Sequence, residues 1–363
     1  MDKELKKLNE GSWVLPAMSR IAKKYNVPFI LNDTYTGRCA MIKFPNNPFI
    51  IWDLPFNINY SGSVKVCMNK DICTSFLGRN GFLVPKSENY TRRSSEKNNA
   101  LYEPMVEFID NARSNGFKFP LIIKPATLSQ GTGIVKVYDE EEAKEALKVV
   151  LNDKKLDKAR TFIVQEFAEG SDYRIVVLGD KILQAYKRVP FHVVGDGKTT
   201  IRELIDNKVQ SFIEAERDKE VDKNDERILN NIKEAGYNLD DVLEEGKVLQ
   251  LQNIANLSLG GTSVDCTATI SDYFAEMAIG VAKTLNLDMC GIDIIAKDIE
   301  DPESREYRIL EVNSAPGLDN YLYEDQEKQN AYVEFLYEQI FVYLMNRKTP
   351  QMEKEEQKVI KRK

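Results

Sequence analysis

The sequence predicts a protein of the α+β / α/β class built from several lobes, and three observations carry that expectation. At 363 residues the chain is longer than an ordinary single domain. Short apolar runs bounded by glycine or proline alternate with segments whose apolar residues recur at helical spacing. Acidic side chains also stand inside two apolar runs, GIDIIA and RILEVN, where burial of a carboxylate is costly unless a partner or ligand meets it.

The elements follow in chain order. Residues 1–64 read as a small α/β lobe, with a short polar helix at the start and apolar runs such as 47–56. Residues 65–118 lead onward, with a helix expected near 71–78 and a flexible polar connection over 88–99 (ENYTRRSSEKNN). In 119–190, FPLIIKP is a strand ended by proline and IVKVY alternates, so ATLSQGTG is the loop between two strands. A helix over 141–151 follows, then strands over 161–167, 173–178 and 181–188, which together read as a compact α+β lobe. In 191–346, Asp196 and Gly197 mark a turn, and helical spacing resumes over 201–213. The charged stretch up to Gly246 reads as an exposed, largely helical excursion, with helical pieces over 225–235 and 240–244. Ser271 and Asp272 offer an N-cap to an amphipathic helix reaching 285, strands follow at 289–297 and 307–312, and a last helix spans 329–345. The charged tail, 347–363, is expected to fray.

Composition narrows the function. A formal charge of −7 argues against a grip on nucleic acid. No run approaches the ~20 apolar residues of a membrane span, and export is not expected from the opening MDKELKKLNEGSW, which has no apolar run followed by small residues. The five cysteines are scattered without CxxC pairs, which fits reduced thiols in a cytoplasm. One histidine, His192, excludes multi-histidine metal sites and makes a Ser-His-Asp hydrolase a poor fit.

The most informative constellation is Asp293 on one expected strand with Glu311 and Asn313 on the next. Period-two geometry turns Glu311 and Asn313 to one face, and three oxygen donors suit magnesium arriving with a nucleotide. A solvated acidic pair is the alternative. Lys124 ends the LIIKP strand, where a rigid element would hold its ammonium for a phosphate, while Gly131 and Gly133 permit close backbone approach in the following loop; an ordinary turn reads equally well. His192 is either a site residue or a partly buried ring. The stretch NLSLGGT, with Asn256, Gly260 and Gly261, either presents N–H groups to an anion or crosses another strand.

Taken in order, KPATLSQGTGI, VQEFAEGSDYR, RVPFHVVGDGKTTIRELI, NLSLGGTSVD, GIDIIAKD and EVNSAPGL resemble the ATP-grasp ligases, in the form found in bifunctional glutathione synthetases and cyanophycin synthetase. The likeness covers roughly 65–318 and matches less clearly before it. It implies an ATP-grasp fold, in which two α+β lobes sandwich ATP beside a small N-terminal α/β lobe. It implies an ATP-dependent carboxylate–amine ligase of the acid–amino-acid type, working through an acyl phosphate on an amino acid or short peptide. ATP and one or two Mg2+ ions, with Mn2+ as a substitute, are the implied cofactors, and a homodimer is the implied assembly.

Residue by residue, Lys70 and Lys124 resemble the phosphate-contacting lysines, and 126–133 the lid. Gln165 and the backbone of Glu166, Phe167 and Ala168 resemble the adenine hinge, and Asp172 the ribose contact. Asp293, Glu311 and Asn313 match the magnesium ligands, while Arg188, His192, Asn256, Gly260 and Gly261 match segments that face phosphate or acceptor. Two departures stand out: Gln165 replaces a usual glutamate and Gln252 a common arginine. They motivate the alternative of an ATP-binding scaffold without ligase activity, and a small-molecule kinase is a second alternative. Asp293→Asn and Glu311→Gln are both expected to impair MgATP use while sparing the fold.

Overall fold

The structure, a computed structural model, describes residues 14–31, 37–44, 48–52, 56–91, 102–126, 133–152, 161–214, 221–253, 255, 259–318 and 326–347. The polar helix expected at the very start and the tail beyond 347 lie outside these residues. The first unit sets the helix Val14–Lys24 against three antiparallel strands, β1 (Phe29–Leu31), β2 (Cys39–Lys43) and β3 (Pro48–Trp52). Val14, Leu15, Met18, Ile21 and Ala22 fall on one face of that helix and are buried. They meet Ala40, Ile42, Phe49 and Ile51 from the inner side of the sheet, and the long helix Gln326–Asn346 closes the same core through Leu336, Tyr337, Ile340 and Phe341.

The second unit is a four-stranded sheet of β4 (Ser87–Thr91), β5 (Leu121–Pro125), β6 (Val135–Val137) and β7 (Thr161–Glu166), ordered β4-β7-β5-β6. Helices Tyr102–Ser114 and Glu140–Asn152 cover one face around Phe117, Leu121, Ile123, Leu147, Phe162 and Val164. Strand β4 corrects the expectation of a flexible connection. Its polar residues pair antiparallel with β7, and Tyr90 meets Phe108 at a ring separation of 5.7 Å, while 92–99 lie outside the described residues. An edge strand exposes much of its surface, so its composition does not distinguish it from a loop.

Strands β8 (Ser171–Leu178) and β9 (Lys181–Val189) form a hairpin. The chain then makes an excursion with β10 (His192–Val194) and β11 (Val248–Gln250) paired, and helices Ile201–Glu214 and Glu226–Glu234. This excursion has its own core of Phe191, Ile201, Ile205, Ile228, Ile232 and Leu249, which tempers the expectation of an exposed segment. The helical piece expected over 240–244 is turn and bridge instead: Asp241 accepts from the Asn238 N–H and Val242 bridges to Thr200. A local side-chain-to-backbone bond of this kind competes with helix.

Strands β12 (Thr262–Asp265), β13 (Met289–Ala296) and β14 (Tyr307–Asn313) complete a five-stranded antiparallel sheet ordered β12-β9-β8-β13-β14. The unit expected over 119–190 is therefore divided between two sheets, with β5 to β7 in one and β8 and β9 in the other. Helix Asp272–Thr284 covers one face of the larger sheet through Phe274, Ala278 and Val281, meeting Tyr173, Ile175, Val177, Ile292 and Ile294. Ser271 is its N-cap residue, as expected, but its side chain makes no capping bond and its Oγ is buried without a partner.

Alternate residues of the same strands point to the other face. At one end Val176, Leu178, Leu183 and Met289 join the core of the N-terminal unit. At the other end the same face carries Asp172, Arg174 and Asp293, the polar floor of the site.

Candidate active site

Asp293 and Arg174 are direct cross-strand partners on β13 and β8, so the fold itself presents one to the other. Arg174 donates from Nε and Nη2 to the two carboxylate oxygens of Asp293, each at 2.6 Å, a bidentate pair. Arg188, on β9, adds Nη2 at 3.0 Å from Asp293 Oδ2 and binds Asp172 Oδ1 at 2.6 Å. Asp293 is 2% exposed. Burial would raise its carboxyl, but Arg174 and Arg188 overcome that and hold it below the ordinary carboxylate range. Asp172, a quarter exposed, is pushed up to about 6 by burial, against the pull of Arg188 and with the help of the Asp293 charge.

Glu311 is the β14 partner of Asp293, and the register shifts just beyond, between Asp293 and Ile294. Asn313 lies two residues on, and its Nδ2 donates to Glu311 Oε1 at 3.2 Å, so the two do share a face. Lys70 approaches from outside the sheet with Nζ 2.9 Å from Glu311 Oε2. It opens the helix Lys70–Arg79, whose cap Asn69 accepts from the Ile72 N–H, and its own N–H donates to Ala126 at the end of β5.

The smaller sheet supplies the opposite wall. Leu121, Ile123, Phe162 and Val164 point into its helix-covered core, so Ile122, Lys124, Ile163 and Gln165 point the other way. Lys124 and Gln165 are 6% exposed each. Burial and the nearby charge of Lys70 bring the Lys124 ammonium down to about 8, with Glu311 pulling weakly upward. Lys70 links the two sheets, its N–H donating to Ala126 just after β5 and its Nζ lying 2.9 Å from Glu311 Oε2 on β14.

At the hinge between the sheets, the Glu166 N–H donates to Lys86 and the Phe167 N–H to Pro120, both within the chain. Those two groups are therefore committed, while the Ala168 N–H has no partner among the described residues. A cavity of about 230 Å³ opens there, lined by Phe167 and Ala168 from the hinge and by Ile295, Lys297 and Arg308 from the larger sheet. Lys136 stands 3.5 Å over the Phe167 ring.

The remaining expected residues lie on the excursion, at the approach to β12 and in the loop before β6. His192 begins β10, and its Nδ1 lies 2.9 Å from the Pro190 carbonyl. Gly260 has φ of 86°, and a Cβ there would fall 2.7 Å from Phe191, so its lack of a side chain serves packing. Gly261 adjoins β12, and Gly133 adopts φ of 72° before β6. Gly131, Asn256 and all of the expected lid except its two ends lie outside the described residues. Gln252 is buried, with Nε2 3.5 Å from Asp225.

Arg174 is the residue that sequence reasoning missed. The signal was present, because a charged side chain inside SDYRIVV is as anomalous as Asp293 inside GIDIIA, and it follows Asp172 at period two.

Asp293, Glu311 and Asn313 offer the hard oxygen donors that magnesium takes together with phosphate oxygens and water. Among the described residues no group of three or more His, Cys, Asp or Glu is arranged for a metal. The set fits a cation carried in by phosphates rather than an all-protein cage. Both oxygens of Asp293 are engaged by buried arginines, whereas those of Glu311 are engaged by Asn313 and by the partly exposed Lys70.

Two antiparallel sheets meeting at a hinge, with the buried Lys124 on one wall, carboxylates on the other and Lys70 between them, define an ATP-grasp domain. The chain belongs to the RimK-like ATP-grasp family, whose model matches residues 69–199 and 201–334. It is 34% identical over 267 residues to cyanophycin synthetase of Crocosphaera subtropica, covering 72% of this chain and 29% of that protein. It is 27% identical over 288 residues to the glutathione biosynthesis bifunctional protein GshAB of Listeria welshimeri, covering 76% of this chain and 34% of that one. The crystal structure of a bifunctional glutathione synthetase from Pasteurella multocida has the same fold, with a TM-score of 0.59 at 21% identity over 91% of this chain and 44% of that one. The chain thus spans about a third of the length of the curated relatives it matches.

Proposed function

We propose that this chain is an ATP-dependent carboxylate–amine ligase that binds MgATP between its two larger sheets and acts on an amino acid or short peptide. The observation that carries the reading is the convergence of Lys124 from one sheet and Glu311 from the other on Lys70, beside the Arg174–Asp293–Arg188 cluster. Membership of the RimK-like ATP-grasp family and the likeness to cyanophycin synthetase and GshAB support it.

In this reading the Ala168 N–H and the hinge cavity take the adenine, and Asp172 the ribose. Lys70 and Lys124 neutralise phosphate oxygens, while Arg188 faces the transferred phosphoryl group. A substrate carboxylate oxygen attacks the γ-phosphorus, the bond to the β–γ bridging oxygen breaks, and ADP leaves with that electron pair. An amine then attacks the acyl carbon, the acyl C–O bond breaks, inorganic phosphate departs and the nitrogen loses a proton. Charge placed in advance is what the protein contributes to both steps. Mg2+, held by Glu311 and Asn313 with Asp293, would supply charge neutralisation on the phosphates. We place the enzyme in a reducing cytoplasm, in keeping with five free thiols; no helix among the described residues is long and apolar enough to cross a membrane.

The test is ADP release from MgATP with pools of amino acids and short peptides, alone and in pairs, with products read by mass spectrometry. A condensed product with stoichiometric ADP is the expected result. Phosphorylated product without any amine requirement would make the chain a kinase, and nucleotide binding without turnover on any pool would leave a binding scaffold.

A further inference from the structure

Besides its arginines and carboxylates, the floor of the site carries the polar side chains Tyr186 and Ser263, of which Ser263 stands in the row of Arg188. Asp172, Arg188 and Ser263 form a single row across β8, β9 and β12, since Asp172 is the direct partner of Arg188 and Arg188 of Ser263. Direct cross-strand partners project to the same face of a sheet, so Ser263 shares the face of the arginine cluster. Arg188 spends Nε and Nη2 on Asp172 and Asp293, which leaves Nη1 without a partner among the described residues. Ser263 is 8% exposed, and its Oγ is buried with no hydrogen-bond partner among the described residues.

An orphaned hydroxyl of this kind is unusual. Buried polar groups are nearly always paired, and an unpaired one destabilises the fold that carries it. Alanine would fit the same backbone without that cost. The strand that bears Ser263 is also firmly placed, because Gly260 at its approach packs directly on the buried Phe191 ring. The hydroxyl sits at a fixed position beside an arginine that has a donor to spare, while Asp172 Oδ1 and both oxygens of Asp293 already accept from arginines. An incoming oxyanion is an acceptor that the hydroxyl and the spare guanidinium donor could share.

We propose that Ser263 is a ligand-contacting residue whose Oγ–H donates to an oxygen of the γ-phosphoryl group of ATP, alongside Arg188. The proposal rests on the nucleotide reading above and adds a residue to it. The hydroxyl is left unpaired in the free chain and becomes satisfied when the oxyanion arrives, so its cost to the free protein is returned as selectivity for the triphosphate.

The experiment compares the intact chain with Ser263→Ala and Ser263→Thr, measuring affinity for Mg–adenylyl imidodiphosphate and Mg–ADP by calorimetry and the melting temperature of each free protein. Ser263→Ala should weaken the triphosphate analogue by about 10-fold, the scale of one hydrogen bond to a charged group. It should leave ADP unchanged and melt at or above the temperature of the intact chain, while Ser263→Thr keeps the preference for the analogue. Equal affinities in Ser263→Ala and the intact chain, an equal loss for both nucleotides, or a lowered melting point of the free alanine variant would each overturn the assignment. An intact chain that binds neither nucleotide overturns the nucleotide reading itself, a failure distinguishable from the others because it appears without any substitution.

Discussion

Lys70 and Glu311 are joined by an ion pair of 2.9 Å that ties a helix start preceding the smaller sheet to the outer strand of the larger one. Their side chains remain 18% and 25% exposed, so neither is locked in by the core. In the proposed function each exchanges this partner for a ligand, the lysine for a phosphate and the glutamate for a metal ion. Lys70→Ala and Glu311→Gln are therefore expected to lower MgATP turnover by about 100-fold or more, the usual consequence of removing one prearranged charge from such a site. Their melting points should stay within a few degrees of the parent, since an ion pair that still reaches solvent contributes about 1 kcal/mol. Turnover within threefold of the parent in either variant would remove that residue from the site.

Asp293 differs, and the expectation that its amide variant spares the fold needs correction. At 2% exposure it is the shared partner of Arg174 and Arg188. Asparagine keeps the shape but leaves two guanidinium groups facing a neutral amide, and breaking a buried pair from one side costs about 3–5 kcal/mol. Asp293→Asn should melt markedly lower than Glu311→Gln in the absence of any nucleotide. Equal melting curves for the two variants would mean that the arginine cluster contributes nothing to stability.

The contrast between these two carboxylates marks how far the sequence could be read. Asp293 and Glu311 stood out because acids are anomalous in apolar strands, and β13 and β14 bring them into direct register. What made them unequal was Arg174, which reaches Asp293 only because β8 lies beside β13, 119 residues away in the chain. A hairpin such as β8 and β9 is legible from its own alternation, but the sheet it joins is settled by pairing with distant strands. The same limit hid β4, whose polar residues become a strand only through the backbone of β7. The Lys70–Arg79 helix and the run of strands from β5 to β9 needed only local spacing, and their positions agree with it to within a few residues.

Under the proposed function, Lys124 is expected to make nucleotide binding sensitive to alkaline pH. Burial and Lys70 bring its ammonium down to about 8 from the ordinary lysine value, so the free chain loses this charge as pH rises through that point. Phosphate oxygens favour the charged form, and a bound nucleotide should draw the proton back. At pH 8 roughly half a proton should be taken up per MgATP bound, falling toward zero near pH 6.5, where the lysine is already charged. Calorimetry in two buffers of different ionisation enthalpy reads this directly. Uptake at pH 8 that persists in Lys124→Met would assign the proton to another group.

Gly260 offers a separation of packing from ligand contact. It and Gly236 both adopt positive φ, at 86° and 83°, so alanine imposes the same kind of backbone strain at each. They differ in what a Cβ would meet: Phe191 at 2.7 Å beside Gly260, and nothing within 4 Å beside Gly236. Phe191 cannot easily yield, since it is 1% exposed in the core of the excursion and meets the Phe212 ring at 6.0 Å. Gly236→Ala should therefore cost about 1 kcal/mol, the strain alone, whereas Gly260→Ala adds about 1–3 kcal/mol of overpacking. Chemical denaturation of the two nucleotide-free variants measures the difference. Equal losses would show that Phe191 gives way freely, and any fall in turnover of Gly260→Ala would then belong to the loss of a ligand contact rather than to a displaced strand β12.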